Sequence, residues 1–216
     1  IYNRSLNSTE LEQVHSYLAL KYGITMSGRD YRAGNGDLIW DNSLHTGYGN
    51  DIAGIARDDC QLLNQKQSRS ESDDLLVTMS ISPSGPYESN ATNPDSISND
   101  ASFLIWGNDD ASIGSISFNA PAPYSSRILR VWKVDTTGTP NSVTVDFDLT
   151  KLPKFSYVDS EFALLRDSDT DFSDASALSG TIIGDTIIRF ANVEFADNSY
   201  FTLAVPCPSA PGSVAG

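Results

Sequence analysis

The chain is poor in the residues that most chemistry needs. It has two histidines and two cysteines, and only 14 lysines and arginines against 28 aspartates and glutamates. A net charge of −14 and a pI near 4.3 argue against a nucleic-acid partner, because phosphate binding needs clustered basic side chains. Attachment to anionic lipid is disfavoured for the same reason. No apolar run approaches the ~18 residues of a membrane-spanning helix. No HExxH, GxSxG or phosphate-loop pattern is present. His15 falls beside the apolar face of a helical segment and His45 in a glycine-rich stretch, so neither is placed with catalytic partners. The expectation is a domain without enzymatic activity.

What is abundant is Gly, Ser, Asn, Asp and Thr between short apolar runs, the composition of a turn-rich β protein. Leu38-Ile39-Trp40, Ile52–Ile55, Leu75–Ile81 and Phe103–Trp106 read as strands. So do Arg127–Val134, Phe162–Leu165, Thr181–Ile183, Thr186–Phe190 and Tyr200–Val205. Val143–Leu149 alternates strictly, with Val143, Val145, Phe147 and Leu149 on one face. Gly184-Asp185 between two apolar runs marks a hairpin. Asn64–Asp74 reads as a strand end leading into a loop, and Pro83–Asp100 as a long surface loop. The fold expected is mainly β, an antiparallel β-sandwich with one N-terminal α-helix.

The helix carries the clearest local signals. Asn7 is a good N-cap, Glu10 three residues on completes a capping box, and Leu6 and Leu11 are spaced for a hydrophobic staple. Gly23 supplies a left-handed stop. Leu11, Val14, Leu18 and Tyr22 line one face, which is expected to pack either on the β domain or on a neighbouring unit.

Three candidate sites stand out. Asp167-Ser168-Asp169-Thr170-Asp171-Phe172-Ser173-Asp174 alternates carboxylates that could converge on Ca²⁺. An EF-hand is excluded, because Phe172 stands where the loop requires glycine and Leu178 where it requires glutamate. The choice left open is a β-loop calcium site using Asp167, Asp169, Asp171 and Asp174, or an acidic turn whose aspartates cap their own backbone. The turns at Asn50-Asp51 and Gly107–Asp110 offer further oxygens, with Arg57 expected to pair with a nearby carboxylate. Among the aromatics, Trp40 and Tyr48 could form a sugar-stacking platform, although Trp40, Trp106 and Trp132 all sit in apolar strand patterns that suit a core. Cys60 and Cys207 either form a disulfide or are two free thiols; their spacing fits neither a redox nor a zinc motif.

These residues carry a family resemblance. YNRSLNSTELEQVHSYLALKYGIT resembles the segment that closes a laminin-G/concanavalin-like domain in large Bacteroidetes surface proteins. IWDNSLHTGYGNDIAGIARDDCQLLNQKQS, FLIWGNDD, RILRVWKV, LLRDSDTDFSDA and SYFTLAV resemble an uncharacterised β-rich domain that follows it, and PSAPGSVAG resembles a linker to another lectin-like unit. The division implied is a terminal strand and junction helix over 1–26, a β-sandwich over 27–205 and a linker over 206–216. The resemblance implies a secreted, extracellular protein of the bacterial cell surface, used in adhesion. Its partners would be neighbouring domains of the same polypeptide and surface glycans. Ala56 and Thr170 stand where relatives would carry glycine, which weakens the calcium reading. Cys60 is a departure too, so a Cys60–Cys207 bridge would be peculiar to this chain.

Overall fold

The computed structural model describes residues 3–71, 75–114, 116–152 and 162–205. The linker 206–216 and the terminal Ile1-Tyr2 lie outside them.

One helix, α1 (Ser8–Tyr22), precedes the strands. Asn7 Oδ1 accepts from the Glu10 backbone N–H, and Glu10 Oε2 accepts from that of Asn7, both at 2.9 Å. This is the capping box read from the sequence. Gly23 closes the helix at φ +63°, where a Cβ would lie 2.2 Å from the Arg69 carbonyl oxygen. Only glycine permits both the turn and the close approach.

Sixteen strands follow among the described residues. β1 (Tyr31–Arg32) and β2 (Leu38–Trp40) form a small ribbon. The larger sheet runs β13 (Ser176–Ser179), β12 (Ala163–Asp167), β16 (Tyr200–Ala204), β10 (Trp132–Thr137), β7 (Ser102–Asn108), β3 (Asn50–Asp58), β4 (Leu63–Gln65). β8 (Ile116–Ser117) and β9 (Arg127–Ile128) extend it beside β16. The smaller sheet runs β14 (Thr181–Ile183), β15 (Ile187–Val193), β11 (Val143–Asp148), β6 (Val77–Ser80), β5 (Gln67–Arg69). Every pairing is antiparallel. Strands adjacent in sequence leave one sheet for the other at Lys66 (β4 to β5) and at Gly180 (β13 to β14).

The main core lies between the sheets and holds Trp106, Trp132, Val145, Phe147, Leu164, Phe190, Phe201 and Leu203. The alternation from Val143 to Leu149 holds, with all four apolar residues in this core. β7 reads FLIW without alternation because it is buried on both faces. Leu104 and Trp106 face the other sheet, whereas Phe103 and Ile105 join a second cluster with Ala19, Leu20, Tyr31, Ile39 and Trp40. The helix and the small ribbon thus share a core with the outer face of the large sheet.

Tyr31 sits at the centre of that second cluster. It is fully buried, and its hydroxyl oxygen accepts from the Met26 N–H at 2.9 Å. Burial pushes its phenol up to about 12. Because the folded-state pKa lies above the unfolded value near 10, the associated stability is complete below pH 10 and is lost as pH rises towards 12. The expected loss is about 3 kcal/mol. Denaturation curves across this interval should fall more gently in Tyr31→Phe; an unchanged slope would remove Tyr31 as the cause.

Several expectations are revised. Arg127–Val134 is not one strand: it breaks between Ile128 and Trp132, where Val131 exchanges hydrogen bonds with Asp109. Asn64–Asp74 contains the end of β4 and all of β5. β13 (SALS) has too little apolar character to be read alone and exists through its pairing with β12. The hairpin at Gly184-Asp185 is present, with both residues at positive φ.

Candidate functional site

The helix packs by a face other than its apolar stripe. Ser16, Ala19 and Leu20 are buried, whereas Leu11, Leu18 and Tyr22 are 43%, 41% and 55% exposed. Gly54 in β3 makes room for Leu20, whose Cδ2 would lie 2.8 Å from a Cβ placed there. Ser16 Oγ donates to the Glu12 carbonyl and accepts from the Arg32 N–H, stitching the helix to β1. Of the two packings expected for the stripe, the one on the β domain is therefore not the one Leu11, Leu18 and Tyr22 adopt, while Val14 is half-buried. Leu11, Leu18 and Tyr22 face outward, joined by Ile24 at 56% exposure.

A groove of about 570 Å³ opens between the C-terminal end of α1 and the 86–90 segment. Tyr22 and Tyr87 both line it, and outward side chains of β5 and β6, among them Arg69 and Thr78, complete it. The segment that carries Tyr87 is tied down by two amides. Gln67 accepts from the Tyr87 N–H and donates to its carbonyl, each at 2.8 Å. Asn90 accepts from the Lys66 N–H at 2.6 Å and donates to the Asn64 carbonyl at 2.7 Å. Sequence reading treats 83–100 as plain loop. The Gln67 and Asn90 forks carry no local signal because each spans twenty residues or more.

The acidic turn proves to be built around Phe172. That ring is fully buried on the outer face of the large sheet with Val131, Ala163, Leu165 and Ala204. The Arg127 guanidinium lies 4.8 Å from the ring centroid. The carboxylates serve the turn that inserts it. Asp167 Oδ1 accepts from the N–H groups of Ser168 and Asp169, Asp169 Oδ1 from that of Asp171, and Asp171 Oδ1 from that of Ser173. Hydrogen bonds from Ser173 hold the Asp171 carboxyl below its usual range. Asp174 lines a separate shallow groove with Asp167 and Glu194. Among the described residues, no three His, Cys, Asp or Glu side chains gather as a metal centre.

The other acidic turns are engaged with arginines. Arg57 grips Asp59 through two hydrogen bonds of 2.9 and 2.8 Å, the pairing expected for it. Arg130 lies 3.3 Å from Asp110 and 3.7 Å from Asp51, and Asp51 also accepts from Asn108.

Trp40 is wholly buried, its ring 4.1 Å from that of His45, whose Nε2 pairs with Asp135 Oδ2 at 2.7 Å. Tyr48 is half-buried against Tyr200, and burial raises its phenol to about 12. The Trp40–Tyr48 platform is accordingly corrected, because Trp40 has no exposed face on which a sugar could stack. Cys60 is exposed, with no disulfide partner among the described residues; Cys207 lies outside them, and so does the expected bridge.

These features define a two-sheet antiparallel β-sandwich domain with an N-terminal helix bound to one outer face. Residues 10–199 match the family model described as Domain of unknown function (DUF8202), and the chain belongs to that family. The match takes in most of α1 and the strands from β1 to β15, and ends just before β16. No curated protein and no solved structure matches the chain. Among the described residues, no helix is long and apolar enough to cross a membrane.

Proposed function

We propose that this domain is a non-catalytic module of a multi-domain secreted adhesin of the bacterial surface, which holds and presents the domains beside it. The observation that carries this reading is the outward stripe of α1. Leu11, Leu18 and Tyr22 are large exposed apolar side chains of an acidic molecule, on the face of the helix that its own β core does not use, and Ile24 is exposed just past its end. Exposed apolar runs of this kind mark contact surfaces. The occupant is the lectin-like domain that the family resemblance places before residue 1. Leu11 is one turn into α1, so a domain joined there would meet the stripe first. Calcium has no part in the proposal, because the Asp167, Asp169 and Asp171 carboxylates already accept from backbone N–H groups of their own turn.

The test compares hydrogen exchange over 8–22 in the 216-residue chain and in its parent polypeptide. Protection beyond that of the isolated helix is expected only in the parent, and Leu18→Lys should abolish that increment. In the isolated chain the same change should shift stability by less than about 0.5 kcal/mol, as for other exposed positions. Equal exchange in both contexts would overturn the assignment.

A further inference from the structure

We infer that the groove between Tyr22 and Tyr87 is a binding site for an uncharged oligosaccharide. The inference does not rest on the occupant of the helical stripe, and Tyr22 is the residue that the stripe and the groove share.

Three observations point to this ligand class. The first is the placement of the aromatics. Tyr22 and Tyr87 are 55% and 38% exposed, and they line the same groove. A tyrosine ring offers an apolar face with a hydroxyl at its rim. A pyranose offers the complement, a flat C–H face bordered by hydroxyls.

The second is the polar lining. Arg69 and Lys21 are balanced by Glu71 and Glu88, two cations against two anions, in a chain whose net charge is −14. Arg69 Nε already donates to Glu71 Oε1 at 2.9 Å, and Lys21 Nζ to the Tyr17 hydroxyl at 2.7 Å. A neutral lining of donors and acceptors suits a ligand made of hydroxyl groups. It gives no net attraction to a polyanion, and its polar character does not suit a purely apolar molecule.

The third is rigidity. Tyr87 is held by its backbone through the Gln67 fork, and the Asn90 fork anchors the same segment three residues later. The opposite wall is fixed as well. Gly23 presses onto the Arg69 carbonyl, and its own carbonyl accepts from the Glu71 N–H at 2.9 Å. Ordering a Ser/Pro/Asn-rich segment costs conformational entropy. Its return is a site whose walls need not be ordered again on binding.

Affinity electrophoresis of the 216-residue chain through mannan, β-glucan, xylan and galactan gels provides the test, with polygalacturonate as the charged control. At least one neutral polysaccharide should retard the chain. Tyr87→Ala should weaken that retardation at least about tenfold, as expected for an aromatic anchor. The Gln67 bonds reach only the Tyr87 backbone, so the variant should keep its fold; an unchanged melting curve verifies this, and Thr78→Val offers a second probe of the floor. Leu18→Lys should bind as the parent sequence does, which separates this site from the stripe. Absence of retardation by every neutral polysaccharide would overturn the inference. So would retardation by polygalacturonate alone, or retention by neutral glycans that survives both Tyr87→Ala and Thr78→Val. Binding of peptides in place of glycans, read by fluorescence polarisation with a random peptide pool, would overturn it too.

Discussion

Replacing Trp132 with alanine is expected to lower the unfolding free energy by about 3–5 kcal/mol. The indole is almost wholly buried between the sheets. It lies parallel to Phe201, with ring centroids 5.3 Å apart, and edge-on to Phe147 at 5.6 Å. Phe147 in turn meets Phe190 edge-on at 6.1 Å, so the stack links β10 and β16 of one sheet to β11 and β15 of the other. Removing the indole loses its transfer energy and leaves a cavity that the surrounding rings, each held by several neighbours, cannot close. For a domain of this size the melting temperature should fall on the order of 10 °C. Urea titration checks the value, and a loss below about 1 kcal/mol would show that the stack is not the centre of the core.

The second large effect concerns Asp146. Asp146→Ala is expected to cost about 3 kcal/mol, because it strands the guanidinium of Arg189. Asp146 and Arg189 face each other across β11 and β15 and join through two hydrogen bonds of 2.8 and 2.7 Å. The Asp146 side chain is only 6% exposed and that of Arg189 20%. Arg189 Nη1 also donates to the Ser84 carbonyl, which brings the 82–85 turn over the pair. The double substitution Asp146→Leu with Arg189→Met should be less destabilised than Asp146→Ala alone, since it removes both charges and keeps the volume. A double-mutant cycle by urea unfolding measures this. Strict additivity of the two sites would mean that the pair is not coupled.

These two sites differ in how far the sequence foretold them. Trp132 lies in an apolar strand pattern, and the preference of a tryptophan there for a core needs no partner to be known. Asp146 lies at an outward position of the strict alternation VTVDFDL, where a charged side chain is normally solvated. It is buried because residues from 82 to 85 and from β15, more than forty positions away, converge on it. The groove follows the same rule. Tyr22 is visible as part of a helical stripe, but Tyr87 stands in a polar stretch with no periodicity. Only the Gln67 fork, formed across the sheet corner at Lys66, brings it opposite the helix.

The acidic turn was left with two outcomes, a calcium loop or aspartates that cap their own backbone, and the capping bonds are the ones seen. Alternating aspartates suggest convergence on a cation because carboxylate spacing is visible in a sequence. The buried destination of Phe172 is not visible, and it accounts for the turn as built.

By itself the sequence determined what depends on neighbours within a few residues. The Asn7–Glu10 capping box, the Gly23 stop, the Gly184-Asp185 hairpin, the period-two face of Val143 to Leu149 and the mainly β class all follow from local sterics and periodicity. Tertiary structure alone decided which face of α1 is buried. Leu11, Leu18 and Tyr22 are the more apolar choice, yet the helix is seated by Ser16, Ala19 and Leu20. Leu20 fits over the bare backbone of Gly54, Ser16 bonds to β1, and the Gly23 turn fixes the C-terminal end of the helix against Arg69. Close approach and fixed ends outweighed hydrophobic periodicity, and the apolar stripe was left facing outward.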